Sequence, residues 1–416
     1  MLVRNSLSKL GIALALQMAL VGGAVAQNVS LRVGVLAGLT GDPAPSGQAW
    51  NESAKLAADV VKAAVDRAKI PGFSFVLVDS QDSQGSPKSG VEAAQKLVQI
   101  DKVNVIVGDF YSSVTSAVAT SVAIPNKVLM FTGGTSPALT KLNAAGTTYL
   151  WQPVAADDIQ GRVLAAIIAD AYGPTARINI ASRNDAYGTN LSAVFKEAWT
   201  AKGGVIPKHV TYNPQQPTLD SEAQDVTTGD PTAWLFVDFC PSFAKLAIPL
   251  SRTGKWDSAK SFGSDTLNDC ESKGSKNYPG MRATQANASS GSSAPAFKAL
   301  FEKNAKQGVR FAAFTAQAFD SVIIAFLATL EAKSSDPEKI SQHVVNVTTD
   351  PGKNFTFEQL DDAIKAIRAG EKIHYQGVTG AINFGRDGRV NATAYDIWEV
   401  GADGVSKVVK TIAFKP

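Results

Sequence analysis

Apolar residues along this chain fall into two alternating patterns. Short unbroken apolar runs are separated by longer stretches in which apolar residues return at every third or fourth position. An unbroken run marks a strand buried on both faces, and the wider spacing marks a helix with one face in a core. "LRVGVLA" (31–37) reads as a strand, "GLTGDPAPSG" as a loop, and "WNESAKLAADVVKAAVDRA" (50–68) as a helix. Strand "FSFVLVD" (73–79), helix "KSGVEAAQKLVQI" (88–100), strand "VNVIVG" (103–108), a helix from Ser112 and strand "VLMFT" (128–132) follow. Strands alternating with helices at this spacing predict right-handed βαβ units and a parallel sheet.

After a crossing segment, "YLWQPVAADDIQG" (149–161), the pattern restarts. Strand "RINIAS" (177–182), helix "NLSAVFKEAWTAKGG" (190–204), strands "VIPKHVTY" (205–212) and "AWLFVDF" (233–239), a helix from Ser242 and strand "KSFGSD" (260–265) make a second α/β unit. A Ser/Gly/Ala stretch (285–296) precedes two strong helices near 295–306 and 312–332, and "GAINFGRDGRVNATAYDIWEV" reads as a hairpin turning at Arg386–Gly388. Ligands of open parallel sheets bind beyond the carboxyl ends of the strands. Four such exits are rich in loop residues: "GLTGDPAPSG", "GDFYSS", "TGGTSP" and "NDAYG". The first three belong to the first unit and the last to the second, so a shared site falls in a cleft between two lobes, with hinge closure as its moving part.

Composition narrows the class. The chain has 416 residues, 45% of them hydrophobic, enough for two ordinary domains. Arg4 and Lys9 precede the apolar "LGIALALQMALVGG", which ends in "AVA" before Gln27. A positive start, a short apolar run broken by Gln17, and small residues at 24 and 26 predict a secretory signal, residues 1–26, cleaved near Ala26. Its removal takes the formal charge from +3 to +1, no signature of a nucleic-acid or anionic-lipid partner. The only cysteines, Cys240 and Cys270, are expected to pair in an exported chain. Closing a loop of about 30 residues stabilises by roughly 3–4 kcal/mol on the chain-entropy model; two buried free thiols are the alternative. His209, His343 and His374 share no ligand spacing with them, so no metal is expected, and no sequence feature asks for a cofactor.

Ser112 and Ser113 stand where a strand delivers the chain to a helix N-terminus. "DFYSSVT" is no G-x-S-x-G elbow and lysine does not follow as in a P-loop, which weakens a nucleophile and a phosphate cradle without removing them. A plain helix cap is a third reading. The fourth is a carboxylate receptor, because free N–H groups and a partial positive charge hold an anion without a cationic side chain. "FTGGTSPALT" (131–140) makes the same offer: Gly133 and Gly134 admit close approach, Thr135 supplies a hydroxyl, and Pro137 is placed to begin a helix.

The ordered series "LRVGVLAGLTGDPAPSGQ", "AAQKLVQIDKVNVIVGDFYSS", "TGGTSPALT", "DDIQG", "NDAYG", "AFDS" and "GAINFGRDG" resembles the periplasmic solute-binding proteins of the branched-chain amino acid ABC transporters, across most of residues 30–400. The resemblance implies a type I periplasmic-binding-protein fold: two α/β lobes, each a mostly parallel sheet flanked by helices, joined by three crossing strands. Lobe 1 would take residues 27–151 and 286–388, and lobe 2 residues 152–285 and 389–416. It further implies that Ser112, Gly133 and Thr135 hold a ligand α-carboxylate, that Tyr187 covers the ligand, and that Asp265 pairs with its α-ammonium. A surface turn for Tyr187 and a helix N-cap for Asp265 are the structural alternatives.

Departures from the family pattern bring Asp42 and Ser46 to the mouth, Tyr111 beside the carboxylate, and Asp238, Phe239 and Cys240 into lobe 2's share of the cleft. Phe314 is a contact from lobe 1 or a core aromatic. A Cys240–Cys270 bridge would be unusual, since familiar family disulfides lie in lobe 1. The implied protein is a non-enzymatic, monomeric periplasmic receptor that delivers an amino acid or related small carboxylate to an inner-membrane ABC permease. A soluble sensor of the same fold, an exported hydrolase using Ser112 or Ser113, and an amine-free carboxylate or amide as ligand are the rivals.

Overall fold

The computed structural model describes residues 28–143, 146–268, 270, 278–286, 290–312, 314–390 and 394–413. The expected signal segment, residues 1–26, lies outside the described residues. Strands β1 (Val29–Ala37), β2 (Phe73–Leu77), β3 (Gln81–Asp82), β4 (Val105–Val107), β5 (Leu129–Phe131) and β6 (Leu150–Trp151) form the first sheet, in the order β2-β1-β4-β5-β6 with β3 also on β1. Every pairing in it is parallel. Helices α1 (Ala44–Ala68), α2 (Pro87–Gln99) and α3 (Ser112–Val118) connect these strands.

The second sheet contains β7 (Ile178–Arg183), β8 (His209–Tyr212), β9 (Ala233–Val237), β10 (Ser261–Gly263) and β11 (Arg282–Ala286), all parallel, with α4 (Asp157–Tyr172), α5 (Ala186–Ala201), α6 (Asp220–Val226) and α7 (Cys240–Arg252) between or before them. The chain then returns to the first unit through α8 (Ala294–Asn304), α9 (Thr315–Ala332), α10 (Pro337–Thr348) and α11 (Leu360–Arg368), with a small sheet of β12 (Lys353–Phe355), β13 (Ile373–Gly377) and β14 (Gly380–Ala381). It ends in β15 (Ala394–Val400) and β16 (Ser406–Ala413), which extend the second sheet antiparallel beyond β11. The chain therefore passes between the sheets three times. Two of the crossings lie side by side, where Gln152 bridges Arg389 and donates its N–H to the Gly388 carbonyl at 2.7 Å.

Several element limits differ from the sequence pattern for identifiable reasons. α1 starts at Ala44, inside the expected loop, because Pro43 and Pro45 occupy positions where a helix needs no N–H. Ser46 therefore sits in a first helical turn. β8 covers only His209–Tyr212, Val205 making one isolated bridge with Arg177. No α-helix follows Pro137; a 3-10 turn at Thr140–Leu142 does. α7 begins at Cys240 rather than Ser242, and α5 at Ala186 rather than 190, its N-cap Asp185 accepting the Gly188 N–H at 3.0 Å. Phe314 precedes α9 in left-handed conformation (φ 66°) and is buried in the core, so it is not on a helix face. The tail does turn at the expected place, with Gly385 N–H bonded to the Arg389 carbonyl at 2.8 Å, but its last strand joins the second sheet.

α9 is the core helix of the first unit, packed on α1 and α10 and buried from Thr315 to Leu330. Its one acid, Asp320 within that span, accepts from Tyr375 Oη at 2.7 Å, the Val378 and Thr379 N–H groups at 3.0 and 3.1 Å, and Thr379 Oγ1 at 2.7 Å. Four donors tie the helix to the small sheet. Asp320→Ala strands those donors in the interior and is expected to lower unfolding free energy by about 3 kcal/mol, read as a lower urea midpoint, with Asp320→Asn losing less.

Candidate functional site

The strand exits of the two sheets face each other, and backbone geometry decides what each presents. After β4, Gly108 has φ 130°, and a Cβ there would stand 1.7 Å from the Leu36 carbonyl oxygen, so only glycine lets this exit pass β1. The next residue, Asp109, is fully buried and binds both neighbouring loops. Its carboxylate accepts the Tyr111 N–H at 2.7 Å and the Ser83 hydroxyl; its carbonyl accepts Thr132 Oγ1 at 2.5 Å, Thr115 Oγ1 at 3.0 Å and the Gly133 N–H at 3.2 Å. Ser112 is thereby held beside the Gly133–Ser136 loop, its Oγ accepting the Ser136 N–H at 3.2 Å. The Gly133 N–H is already committed, so this glycine serves the site by lacking a side chain: a Cβ would meet the Trp50 ring at 2.8 Å and Phe110 Cβ at 2.9 Å.

From the second unit, Asp157 opens α4 directly against that loop, its N–H bonded to the Thr135 carbonyl at 2.9 Å. Asp157 is fully buried, and among the described residues no well-formed hydrogen bond reaches either carboxyl oxygen, the nearby Thr135 side chain being the one that favours its charged form. Burial, then the neighbouring Asp265, pushes its carboxyl well above the ordinary range. Asp265 opens a short 3-10 turn after β10 and accepts Tyr187 Oη at 2.7 Å; burial raises it too, against that hydrogen bond. Tyr187 reaches Asp265 from the first turn of α5, where Gly188 is required because a Cβ would lie 2.1 Å from the Arg183 carbonyl. Tyr395 of β15 completes the group with a buried, unpartnered hydroxyl, its ionisation opposed by burial and then by Asp265 and Asp157. Among the described residues no cationic side chain forms an ion pair with Asp157 or Asp265; Arg389 pairs with Asp158 instead, at 2.5 Å.

Aromatic rings close the cleft. Tyr111 stacks on Phe110 (5.0 Å between centroids) and meets Phe239 edge-on at 4.4 Å, and Phe239 lies 5.2 Å from Tyr187. Under them the buried Arg183 guanidinium sits 4.4 Å from the Phe239 ring and 5.3 Å from Tyr111, paired with Asp185 and, at 3.6 Å, Asp238. Asp238 is consumed by Arg183, Tyr212, Ser242 and the Phe239 N–H. Cys240 and Cys270 form a disulfide.

The structure thus brings together Ser112, Gly133, Thr135, Tyr187, Asp265, Tyr111 and Phe239. Ser46 lies on the wall of the same cleft, and Phe314 follows Phe311 and Ala312 of that wall in sequence but is packed inward. Sequence reasoning missed Asp157, Arg183 and Tyr395. "DDIQG" carried the signal for Asp157: two acids open a helix, one paired with Arg389 and one with no ion pair among the described residues. Among the described residues no group of three His, Cys, Asp or Glu side chains is placed to hold a metal.

The chain matches the family model for periplasmic binding proteins over residues 30–405. It belongs to that family. This binding protein is 26% identical to the Leu/Ile/Val-binding protein BraC3 of Rhizobium johnstonii over 386 residues, 90% of this chain and 93% of the relative. Among solved structures it superposes on a leucine-binding protein of Thermotoga maritima with TM-score 0.75 at 20% identity, covering 92% of this chain and 99% of the other. It superposes on an ABC-transporter solute-binding protein of R. palustris in complex with 4-hydroxybenzoate with TM-score 0.71 at 18% identity, covering 93% and 98%. The type I fold expected from the sequence is the fold observed.

Asp109 yields a stability test. Burial raises its pKa to about 6 despite the Ser83 and Tyr111 hydrogen bonds, whereas an unfolded aspartate titrates near ~3.9. A raised folded value means its contribution to stability is complete below pH ~4 and lost as pH rises through about 6. The stability of the parent protein minus that of Asp109→Asn should therefore fall by about 1–3 kcal/mol between pH ~4 and ~7 and then level off. Urea midpoints across that range measure it, and any fixed change in hydrogen bonding cancels from the slope.

Proposed function

We propose that this binding protein takes up a small zwitterion, an amino acid or close relative, between two lobes and delivers it to an inner-membrane ABC permease. One observation carries the reading: the buried carboxyls of Asp157 and Asp265, with no cation paired to them among the described residues, lie beside the loop that holds Thr135 and Ser112. The Ser112 hydroxyl, Thr135, and the first-turn N–H groups of α3 are suited to an α-carboxylate. A desolvated carboxylate requires a countercharge, and an ammonium on the same carbon as the ligand carboxylate supplies it. Hydrogen bonds to a charged group contribute about 1.5–3 kcal/mol each, so three or four reach the −8 kcal/mol or so of micromolar affinity.

In this reading lobe 1 is residues 27–151 with 286–388, lobe 2 is 152–285 with 389–416, and residues 1–26 direct export to the periplasm. Lobe 2 closes over a ligand already held by lobe 1: Tyr187 and Asp265 reach it only when Phe239 meets Tyr111 and Phe110. A ligand that binds the closed form better shifts the population toward it, and that form is the one a permease reads. A soluble sensor would use the same site and differ only in its partner. The 4-hydroxybenzoate carried by the R. palustris relative shows why an amine-free carboxylate is the main rival ligand, and the acid pair is the argument against it. The hydrolase reading is weakened because the three histidines pair elsewhere: His209 with Ser182 (2.9 Å), His343 with Glu331 and His374 with Asp350 (3.0 Å each).

Thermal unfolding of the mature chain with amino acids and matched amine-free carboxylates tests the ligand class. Amino acids should raise the midpoint, by an amount equivalent to about 2.7 kcal/mol at a hundredfold excess over Kd, and benzoates should not. A shift with benzoates alone would discard the ammonium role. Because Asp157 and Asp265 are raised by burial, ammonium binding should expel a proton. Amino-acid affinity should then weaken as pH falls, and calorimetry in buffers of different ionisation enthalpy should show release that shrinks in Asp157→Asn.

A further inference from the structure

The two crossing segments that lie side by side also bond to both halves of the proposed site. Gln152 is fully buried in the first of them. Its backbone N–H donates to the Gly388 carbonyl at 2.7 Å, and its side-chain Nε2 donates to the Gly134 carbonyl at 2.8 Å and the Ser136 carbonyl at 3.1 Å. Thr135, between those two, accepts the Asp157 N–H at the start of α4 with its own carbonyl, at 2.9 Å. Asp158, the next residue of α4, accepts from the Arg389 guanidinium, and Arg389 follows Gly388 in the second crossing segment. The links close on themselves: Gln152, the 134–136 loop, Asp157 with Asp158, Arg389 with Gly388, and Gln152 again.

A closed ring constrains more than its links taken singly, because a rotation that opens one link strains the others. Here it joins three pieces that could otherwise shift separately: the loop of the first unit that carries Thr135, the first turn of α4, and the hairpin that feeds β15. The hairpin is tightly seated. A Cβ on Gly388 (φ 85°) would stand 2.3 Å from the Leu150 carbonyl oxygen, and Asn143 Nδ2 donates to the Leu150 and Asp387 carbonyls at 2.9 and 3.1 Å. Arg389 supplies the ring's ionic link; without it, a second acid with no cation would stand beside Asp157. We propose that Gln152 and Arg389 are positioning residues that hold the first turn of α4, and with it Asp157, in register with the Thr135 loop before any ligand arrives. The bearing on binding rests on the site proposed above, whereas the register is a property of the free protein.

Spin labels at Lys88→Cys on α2 and Glu197→Cys on α5, exposed residues of the two units, read the register in the ligand-free mature protein as a distribution of distances. α5 packs on α4, so its label follows that helix. The parent should give one narrow distribution. Arg389→Met and Gln152→Met, with folding checked by circular dichroism, should each widen it at least twofold, and Arg389→Lys should restore most of the parent width. Asp158→Asn, which keeps the side-chain shape and decides the matter if a larger change does not fold, should widen it as Arg389→Met does. The Arg389→Met/Asp158→Asn double variant should widen it no further, since both changes remove one link. Parent-like distributions in the folded variants would overturn the proposal, as would additive widening in the double variant. The zwitterion reading is tested apart, by whether any amino acid raises the unfolding midpoint of the parent. If none does and the register is as expected, that reading alone falls. With an amino acid that does, Arg389→Met should raise the dissociation rate at least fivefold and Arg389→Lys should recover it; an unchanged rate would overturn the bearing on binding.

Discussion

Two buried carboxyl groups with no cation beside them define the chemistry of this cleft. Asp157 and Asp265 approach each other from different elements of the second unit, and neither forms an ion pair. Burying an ionised carboxylate is costly unless a countercharge or several hydrogen bonds compensate it. Asp265 has Tyr187 and the Thr266 N–H at 2.9 Å, whereas the neighbouring Thr135 is the side chain that favours a charged Asp157. On the reading proposed above, a ligand ammonium supplies the compensation that the protein does not.

The donor wall opposite depends on a different buried acid. Asp109 accepts five hydrogen bonds from three loops of the first sheet. It keeps Ser112 and the Gly133–Ser136 loop in register. Fixed donors cost little reorganisation when an anion arrives. On the reading proposed above, the first sheet supplies fixed donors and the second supplies the two buried acids.

Aromatic packing joins these halves. Phe239 touches Tyr111, Phe110, Tyr187 and the Arg183 guanidinium, so one ring connects the carboxylate side, the acid side and the ion-pair network beneath. The 30-residue separation of Cys240 and Cys270 places a disulfide at the start of α7, directly after this ring.

Strand and helix order, the two-unit plan, the four loop-rich exits and the pairing of the two cysteines were legible in the sequence, because hydrophobic spacing and turn residues act over a few positions. Ser112 and Thr135 stood out in the sequence because each stands just after a strand, whereas Tyr187 and Asp265 were named only through the resemblance to the family. Asp157 read as one of two acids at a helix start, and only the fold decided that Asp158 would find Arg389 while Asp157 faced Asp265. Tyr395, 238 positions after Asp157 and 130 after Asp265, joins them because β15 returns to the second sheet. Gly133's committed N–H and Phe314's inward packing were likewise invisible, since each depends on a neighbour brought by tertiary contact. Local periodicity determined which segments form strands and helices; long-range burial determined which polar groups lose their water, and therefore which of them need a ligand.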